Sequence, residues 1–225
     1  MEVRHRRVRS FVLRTARMSQ SQRTALDELY PIHGLKFPFE CDLAQVFPHS
    51  VYRVVEIGFG NGEATVEIAQ AHPETGFLGI EVHTPGFGQV LREIHSRDLK
   101  NLKVLRHDAV EVVAAFEPSS IDGFHIFFPD PWQKKRHHKR RLLQTAFLEQ
   151  LIRALKPGGY LYIATDWEEY AYEILETLNQ FSAISNPYKG WAAGLTWRPR
   201  TKFEKRGREE NRPIREIFFE KRTLE

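Results

Sequence analysis

The sequence predicts an α/β fold with an open, mostly parallel sheet, helices on both faces and a late antiparallel strand. Three observations predict it. Short apolar runs alternate with stretches of helical spacing from about residue 51 to 181. A glycine-rich turn, Glu56-Ile57-Gly58-Phe59-Gly60-Asn61-Gly62, joins the first apolar run to the first helical stretch. Acidic residues recur at or just past the ends of successive runs, where an open parallel sheet has its crevice.

Each element follows from local pattern. Residues 51–57, 77–81, 102–105, 124–128 and 160–165 read as buried strands. Between them, 64–71, 87–96 and 142–155 read as helices. Phe87, Val90, Leu91 and Ile94 share one helical face, as do Leu148, Leu151, Ile152 and Leu155. Lys156-Pro157-Gly158-Gly159 ends the last of these helices and turns the chain into the next strand. A further helix is expected over 168–181 and a late strand over 214–220. A basic arm with a lead-in helix is assigned to residues 1–30, and the α/β domain to 31–225.

Composition excludes several classes. Hydrophobic residues make up 41% and charged residues 28%, a globular balance rather than a disordered one. No apolar run approaches the roughly 18–20 residues of a membrane helix. The single cysteine, Cys41, excludes an internal disulfide and a multi-cysteine zinc site, so a reducing, cytoplasmic setting is expected. The histidines show no pair at metal-ligand spacing beside a helical acid, and no metal is expected. The arginine-rich start also suits an organellar transit peptide, but it lacks a clear apolar face.

Charge is strongly segregated. Residues 1–23 carry +6, 129–141 carry +5 and 198–212 carry +4, so the rest of the chain holds −11 within a total of +4. An acidic body with three basic segments suits a polyanion held at particular places.

The glycine turn points to a nucleoside. Glycines at every second position permit a tight turn and close backbone approach. Glu81, at the end of the next strand, suits the two hydroxyls of a ribose. A dinucleotide motif would need its third glycine at Glu63, and Glu63 puts negative charge where a pyrophosphate would sit. A phosphate-free nucleoside bearing a sulfonium cation suits the acids Glu56, Glu81 and Asp108 better. A nicotinamide dehydrogenase, a small-molecule or protein methyltransferase and a non-catalytic RNA-binding scaffold remain open on these residues alone.

A second pattern starts where the fourth strand ends: Phe127-Phe128-Pro129-Asp130-Pro131-Trp132-Gln133, followed by Lys134, Lys135, Arg136, His137, His138, Lys139, Arg140 and Arg141. Prolines on both sides of Asp130 stiffen its backbone. Trp132 offers a flat face for a base, or else a core aromatic beneath the loop. The cations suit phosphates. Lys139, Arg140 and Arg141 are read as opening the next helix, where the dipole disfavours cations.

Across nearly the whole chain these residues resemble the bacterial tRNA (guanine-N7)-methyltransferases. The resemblance is carried by 56–62, by Gly79-Ile80-Glu81-Val82-His83, by His107-Asp108-Ala109, by Phe128-Pro129-Asp130-Pro131-Trp132, by Ala164-Thr165-Asp166-Trp167 and by Thr201-Lys202-Phe203-Glu204. It implies a Rossmann-like class I methyltransferase fold with a seven-stranded sheet, S-adenosyl-L-methionine as cofactor, and guanosine 46 of the tRNA variable loop as substrate. Glu56, Gly58, Gly60, Gly62, Glu81, Asp108 and Asp130 correspond to cofactor contacts, with Asp130 also catalytic. Lys134, Asp166, Thr201, Lys202, Phe203 and Glu204 correspond to substrate-binding positions. Arg136, His137, His138, Lys139, Arg140 and Arg141 correspond to the RNA-contacting segment. Asp166 also fits as the N-cap of the following helix. Phe87 replaces a commoner smaller residue and is expected to matter little. Residues 208–214 depart from the pattern. The implied partner is tRNA and no membrane; monomer and homodimer both suit the sequence.

Overall fold

The computed structural model describes residues 8–12, 18–38, 42–199, 204, 209–210 and 212–223. Helix α1 (Gln20–His33) opens on a capping box, in which the Ser19 hydroxyl accepts from Gln22 N and the Gln22 side chain accepts from Ser19 N. Next come β1 (Gly34–Leu35), α2 (Leu43–Val46), β2 (Tyr52–Ile57), α3 (Glu63–Ala71) and β3 (Thr75–Glu81). They are followed by α4 (Thr84–Ser96), β4 (Leu102–Arg106), α5 (Ala109–Ala115) and β5 (Ile121–Phe127). A 3-10 helix (Lys135–Arg140) then leads into α6 (Thr145–Ala154), β6 (Leu155–Thr165), α7 (Glu168–Asn179), β7 (Ile184–Ser185) and β8 (Arg215–Lys221).

Among the described residues the sheet has eight strands, in the order β1-β4-β3-β2-β5-β6-β8-β7. Seven were expected; six of the eight correspond to the runs read from the sequence, and the other two are two-residue strands at the edges, too short to leave a period in the sequence. Strands β1 to β6 pair in parallel. β8 runs antiparallel to β6, as expected of the late strand. The chain winds outward from β2 through β3 to β4, then returns to place β5 on the other side of β2. The order therefore switches between β2 and β5, and the crevice beyond their carboxyl ends is where such sheets bind ligands.

Two apolar layers cover the sheet. On one face α2, α5, α6 and α7 contribute Leu43, Val112, Leu148, Leu151 and Ile174. On the other, α1, α3 and α4 contribute Leu26, Val66, Ile68, Phe87, Val90 and Leu91. Phe87 is fully buried, with its ring 5.0 Å from Phe59 of the glycine turn and 5.8 Å from Tyr30 of α1. Its size is thus used in the packing between α1, α4 and the glycine turn.

Local departures have physical causes. Helix α6 starts at Thr145, three residues later than expected, because the 3-10 helix occupies the chain before it. Lys139 and Arg140 close that helix instead of opening α6, so the end of its dipole favours them. β6 begins at Leu155, ahead of the proline-glycine turn. Its pairing with β5 slips between Ile121 and Gly123, and Gly158 takes φ +77°. Asp166 is not the cap of α7; that position is Trp167, which has no side-chain cap bond.

Candidate active site

The glycine turn and the loop after β5 form two walls of one cavity of about 350 Å3. That size lies within the roughly 300–1,000 Å3 of small-molecule sites. Gly58, Gly60 and Gly62 have φ of +80°, +58° and +74°, a region that favours glycine. A Cβ built on Gly58 or Gly60 meets nothing within 4 Å, so the turn presents bare backbone to open space. Behind it, α4 approaches so closely that a Cβ on Gly86 would lie 1.8 Å from the Gly60 carbonyl oxygen.

Three acids surround this turn. Glu81 is 7% exposed, and its carboxylate accepts from Gly60 N (3.0 Å), Val82 N (2.6 Å) and His83 N (2.9 Å). It thereby ties the end of β3 to the turn after β2. Asp108 caps α5 by accepting from Val110 N at 3.0 Å. Glu56 is 3% exposed, and its Oε2 has no hydrogen-bond partner. Burial pushes its carboxyl up to about 7, against the pull of the Thr65 hydroxyl and with added repulsion from Glu81.

Asp130 is exposed on the lip of the same cavity. The backbone around it is unusual, because Phe128 (φ +53°) and Trp132 (φ +47°) both take left-handed conformations. Bulky residues there carry strain of about 1–3 kcal/mol each and need outside support. Phe128 N donates to Ala164 O at 2.7 Å, and the Trp132 indole donates to Ser10 O at 3.0 Å. One face of Trp132 lies under the Arg140 guanidinium, 5.1 Å from the ring centre. Trp132 is therefore a half-buried loop anchor and not a core aromatic.

The other expected positions divide. Lys134, Lys135, Arg136 and Lys139 are exposed beside Asp130, and His137, His138 and Arg140 are half-buried. Arg141 departs from the expected RNA-contacting set: its side chain is 0% exposed and paired with Glu169 and Glu173. Asp166 pairs with Arg212 at 2.6 Å. Glu204 is 2% exposed, with Oε2 2.8 Å from Arg198 Nη1, and does not line the cavity. Thr201, Lys202 and Phe203 lie outside the described residues. Sequence reasoning missed Ser10 and Phe11 as cavity wall and Arg198 and Arg212 as partners of the acids.

Comparisons agree with this geometry. Residues 51–217 match the family model described as "Putative methyltransferase". The fold resembles that of the antibiotic-resistance methyltransferase Kmr (TM-score 0.58, 14% identity, 83% of this chain and 94% of that one). It also resembles the aminoglycoside resistance methyltransferase NpmB1 (TM-score 0.57, 16% identity, 81% and 93%). At such identities the likeness speaks for fold alone. Fold, crevice and family match together define a methyltransferase. The tRNA (guanine-N(7)-)-methyltransferase of Nitrosospira multiformis is 48% identical over 220 residues, 97% of this chain and 96% of its own. That of Chromobacterium violaceum is 48% identical over 219 residues, 96% of this chain and 97% of its own. The chain belongs to the tRNA (guanine-N7)-methyltransferase family.

Proposed function

We propose that this protein transfers a methyl group from S-adenosyl-L-methionine to N7 of a guanine in tRNA, and that the guanine is nucleotide 46 of the variable loop. One observation carries the reading. Asp130 stands exposed on the lip of the cavity formed by the glycine turn, and a cationic helix begins five residues further on. A small-molecule pocket and a polyanion-binding surface therefore meet at one carboxylate.

The residues fit the cofactor. The bare backbone at Gly58 and Gly60 accepts a ligand at close range. Glu56 Oε2, buried and without a hydrogen-bond partner, gives a cation a reason to be there. Glu81, Asp108 and the turn backbone would hold the nucleoside end. When bound, the cofactor supplies an electrophilic methyl group on a positively charged sulfur.

Guanine N7 carries a lone pair and no proton, so no general base is required. Alignment and electrostatics then supply the rate. Asp130 accepts hydrogen bonds from guanine N1–H and the 2-amino group, which adenine lacks as a pair. Its negative charge also favours the purine as positive charge builds on the ring. Lys134, Asp166, Thr201, Lys202, Phe203 and Glu204 are proposed to hold the target nucleotide. Glu204 would have to leave Arg198 to reach a base. The exposed cations of the 3-10 helix, with the basic arm, are proposed to hold phosphates. The proposed setting is the cytoplasm, and no helix among the described residues is long and apolar enough to cross a membrane.

The test is incubation with methyl-labelled cofactor and unmodified tRNA, followed by nucleoside analysis and mapping of the labelled position. Label in 7-methylguanosine at nucleotide 46 is expected. Label at another atom, or only in a small molecule, removes the reading.

A further inference from the structure

Eight cationic or imidazole side chains follow the Asp130 loop, Lys134 to Arg141, and one of them is built differently from the rest. Arg141 Nε donates to the Pro131 carbonyl at 2.9 Å. Its Nη1 donates to Glu173, and its Nη2 donates to His138 Nε2 at 3.1 Å and to Glu169 at 3.3 Å. The guanidinium also lies 4.8 Å from the centre of the Tyr170 ring, and the Tyr170 hydroxyl accepts from Leu143 N at 3.1 Å. One planar cation thus joins the loop after β5, the 3-10 helix and α7. His138, Glu169 and Glu173 have the spacing of a metal trio, and a guanidinium already bonds to all three.

The loop needs such a support. It holds two bulky residues, Phe128 and Trp132, in the left-handed region. Pro129 and Pro131 have no N–H, so the loop is short of backbone donors and its proline residues can be held only through their carbonyls. The Pro131 carbonyl belongs to the peptide that leads into Trp132, and it is the one Arg141 takes. Orienting that peptide sets both the strained Trp132 and the preceding Asp130. A lysine, with one point charge, cannot make this set of planar contacts. A phosphate reaching Arg141 would have to displace both carboxylates.

We propose that Arg141 is a positioning residue for the transfer step and not an RNA ligand: it holds the Pro131 peptide so that Asp130 and Trp132 keep their places at the lip of the cavity. The proposal rests on the role given to Asp130 above.

The test uses the full-length protein with Arg141→Lys, Arg141→Met and Glu173→Gln, and Lys139→Ala for comparison. Single-turnover methyl transfer at saturating tRNA is expected to slow at least tenfold in both Arg141 variants. Glu173→Gln should slow it less, in the same direction. Cofactor affinity and the salt dependence of tRNA binding should stay within about twofold of wild type, whereas Lys139→Ala lowers the salt slope by about one phosphate. The indole N–H resonance of Trp132, assigned by Trp132→Phe, should shift and broaden in the Arg141 variants. Glu173→Gln carries the test if those variants do not fold. Unchanged transfer with an unchanged indole signal overturns the proposal. So does a reduced salt slope with full turnover, which would mark an RNA ligand. Equal losses of cofactor affinity, turnover and melting temperature would mark a merely structural residue and also overturn it. Wild-type protein that methylates no guanine would remove the functional reading instead. The indole signal, which needs no substrate, would still decide the role of Arg141.

Discussion

At the scale of single residues, two carboxylates at the cavity do opposite work. Asp130 is exposed, on a backbone stiffened by prolines on either side. Replacing Asp130 with Ala should lower turnover by about 100-fold or more, as for loss of one electrostatic contact to a transition state. Cofactor affinity should change only a few-fold, because the cavity is built mainly from other residues. Turnover within a few-fold of wild type would exclude the role. Glu56 is buried, and its carboxyl is raised to about 7 from an ordinary 4.5. Below pH 4.5 both folded and unfolded chains hold this proton. Between about 4.5 and 7 the unfolded chain releases it first, so stability falls as pH rises through that window. The loss amounts to about 3 kcal/mol by the end of the window. Glu56→Gln, which cannot ionise, should flatten this decline in chemical denaturation at pH 5, 6 and 7. Parallel pH profiles for the two proteins would show that Glu56 does not set the slope.

Among the elements, the tight approach of α4 to the glycine turn controls the cofactor wall. A Cβ on Gly86 would collide with the Gly60 carbonyl, a backbone atom that cannot rotate aside. Overpacking of this kind costs about 1–3 kcal/mol. Gly86→Ala should push the turn into the cavity and weaken cofactor binding at least tenfold by calorimetry. Gly88→Ala, two residues on, would meet Gln22 of α1 instead. It should lower the melting temperature with cofactor affinity preserved. Equal effects of the two changes on affinity would refute the distinction. The same elements show what the sequence made legible. The five parallel strands expected over 51–165 appear because each carries a short apolar run packed between two helix layers. Helix α5 went unread: its seven residues, Ala109–Ala115, include three valines that look like a strand. The burial of Arg141 is hidden in the sequence for a different reason. A buried arginine inside a cationic run looks like its exposed neighbours, and its counter-charges, Glu169 and Glu173, come from a helix 28 and 32 residues further on. The place of Asp130 at the cavity lip, by contrast, is legible because its flanking prolines and its position after a strand fix its backbone locally.

Across the whole molecule, charge segregation sets how the substrate arrives. Outside its three basic segments the chain carries −11, so a polyanion is repelled from most of the body and drawn to a few places. One of these is the 3-10 helix, whose exposed Lys135, Arg136 and Lys139 stand next to the cavity lip. Each phosphate these side chains neutralise releases condensed counterions, giving a slope of about −0.7 to −0.9 in log affinity against log salt. Binding through roughly four such contacts would weaken tRNA binding about 50- to 150-fold between 50 and 200 mM salt. Lys135→Ala with Lys139→Ala should reduce the slope by about 1.5 and weaken binding of any tRNA alike, since phosphate contacts carry no base identity. Turnover at saturating tRNA should be nearly unchanged, because these cations lie outside the cavity lining. This separates arrival from chemistry: the surface cations act through affinity and salt, and Asp130 acts through the rate. A double variant that lost turnover at saturation while keeping its salt slope would mean that the helix shapes the cavity rather than gathering the substrate.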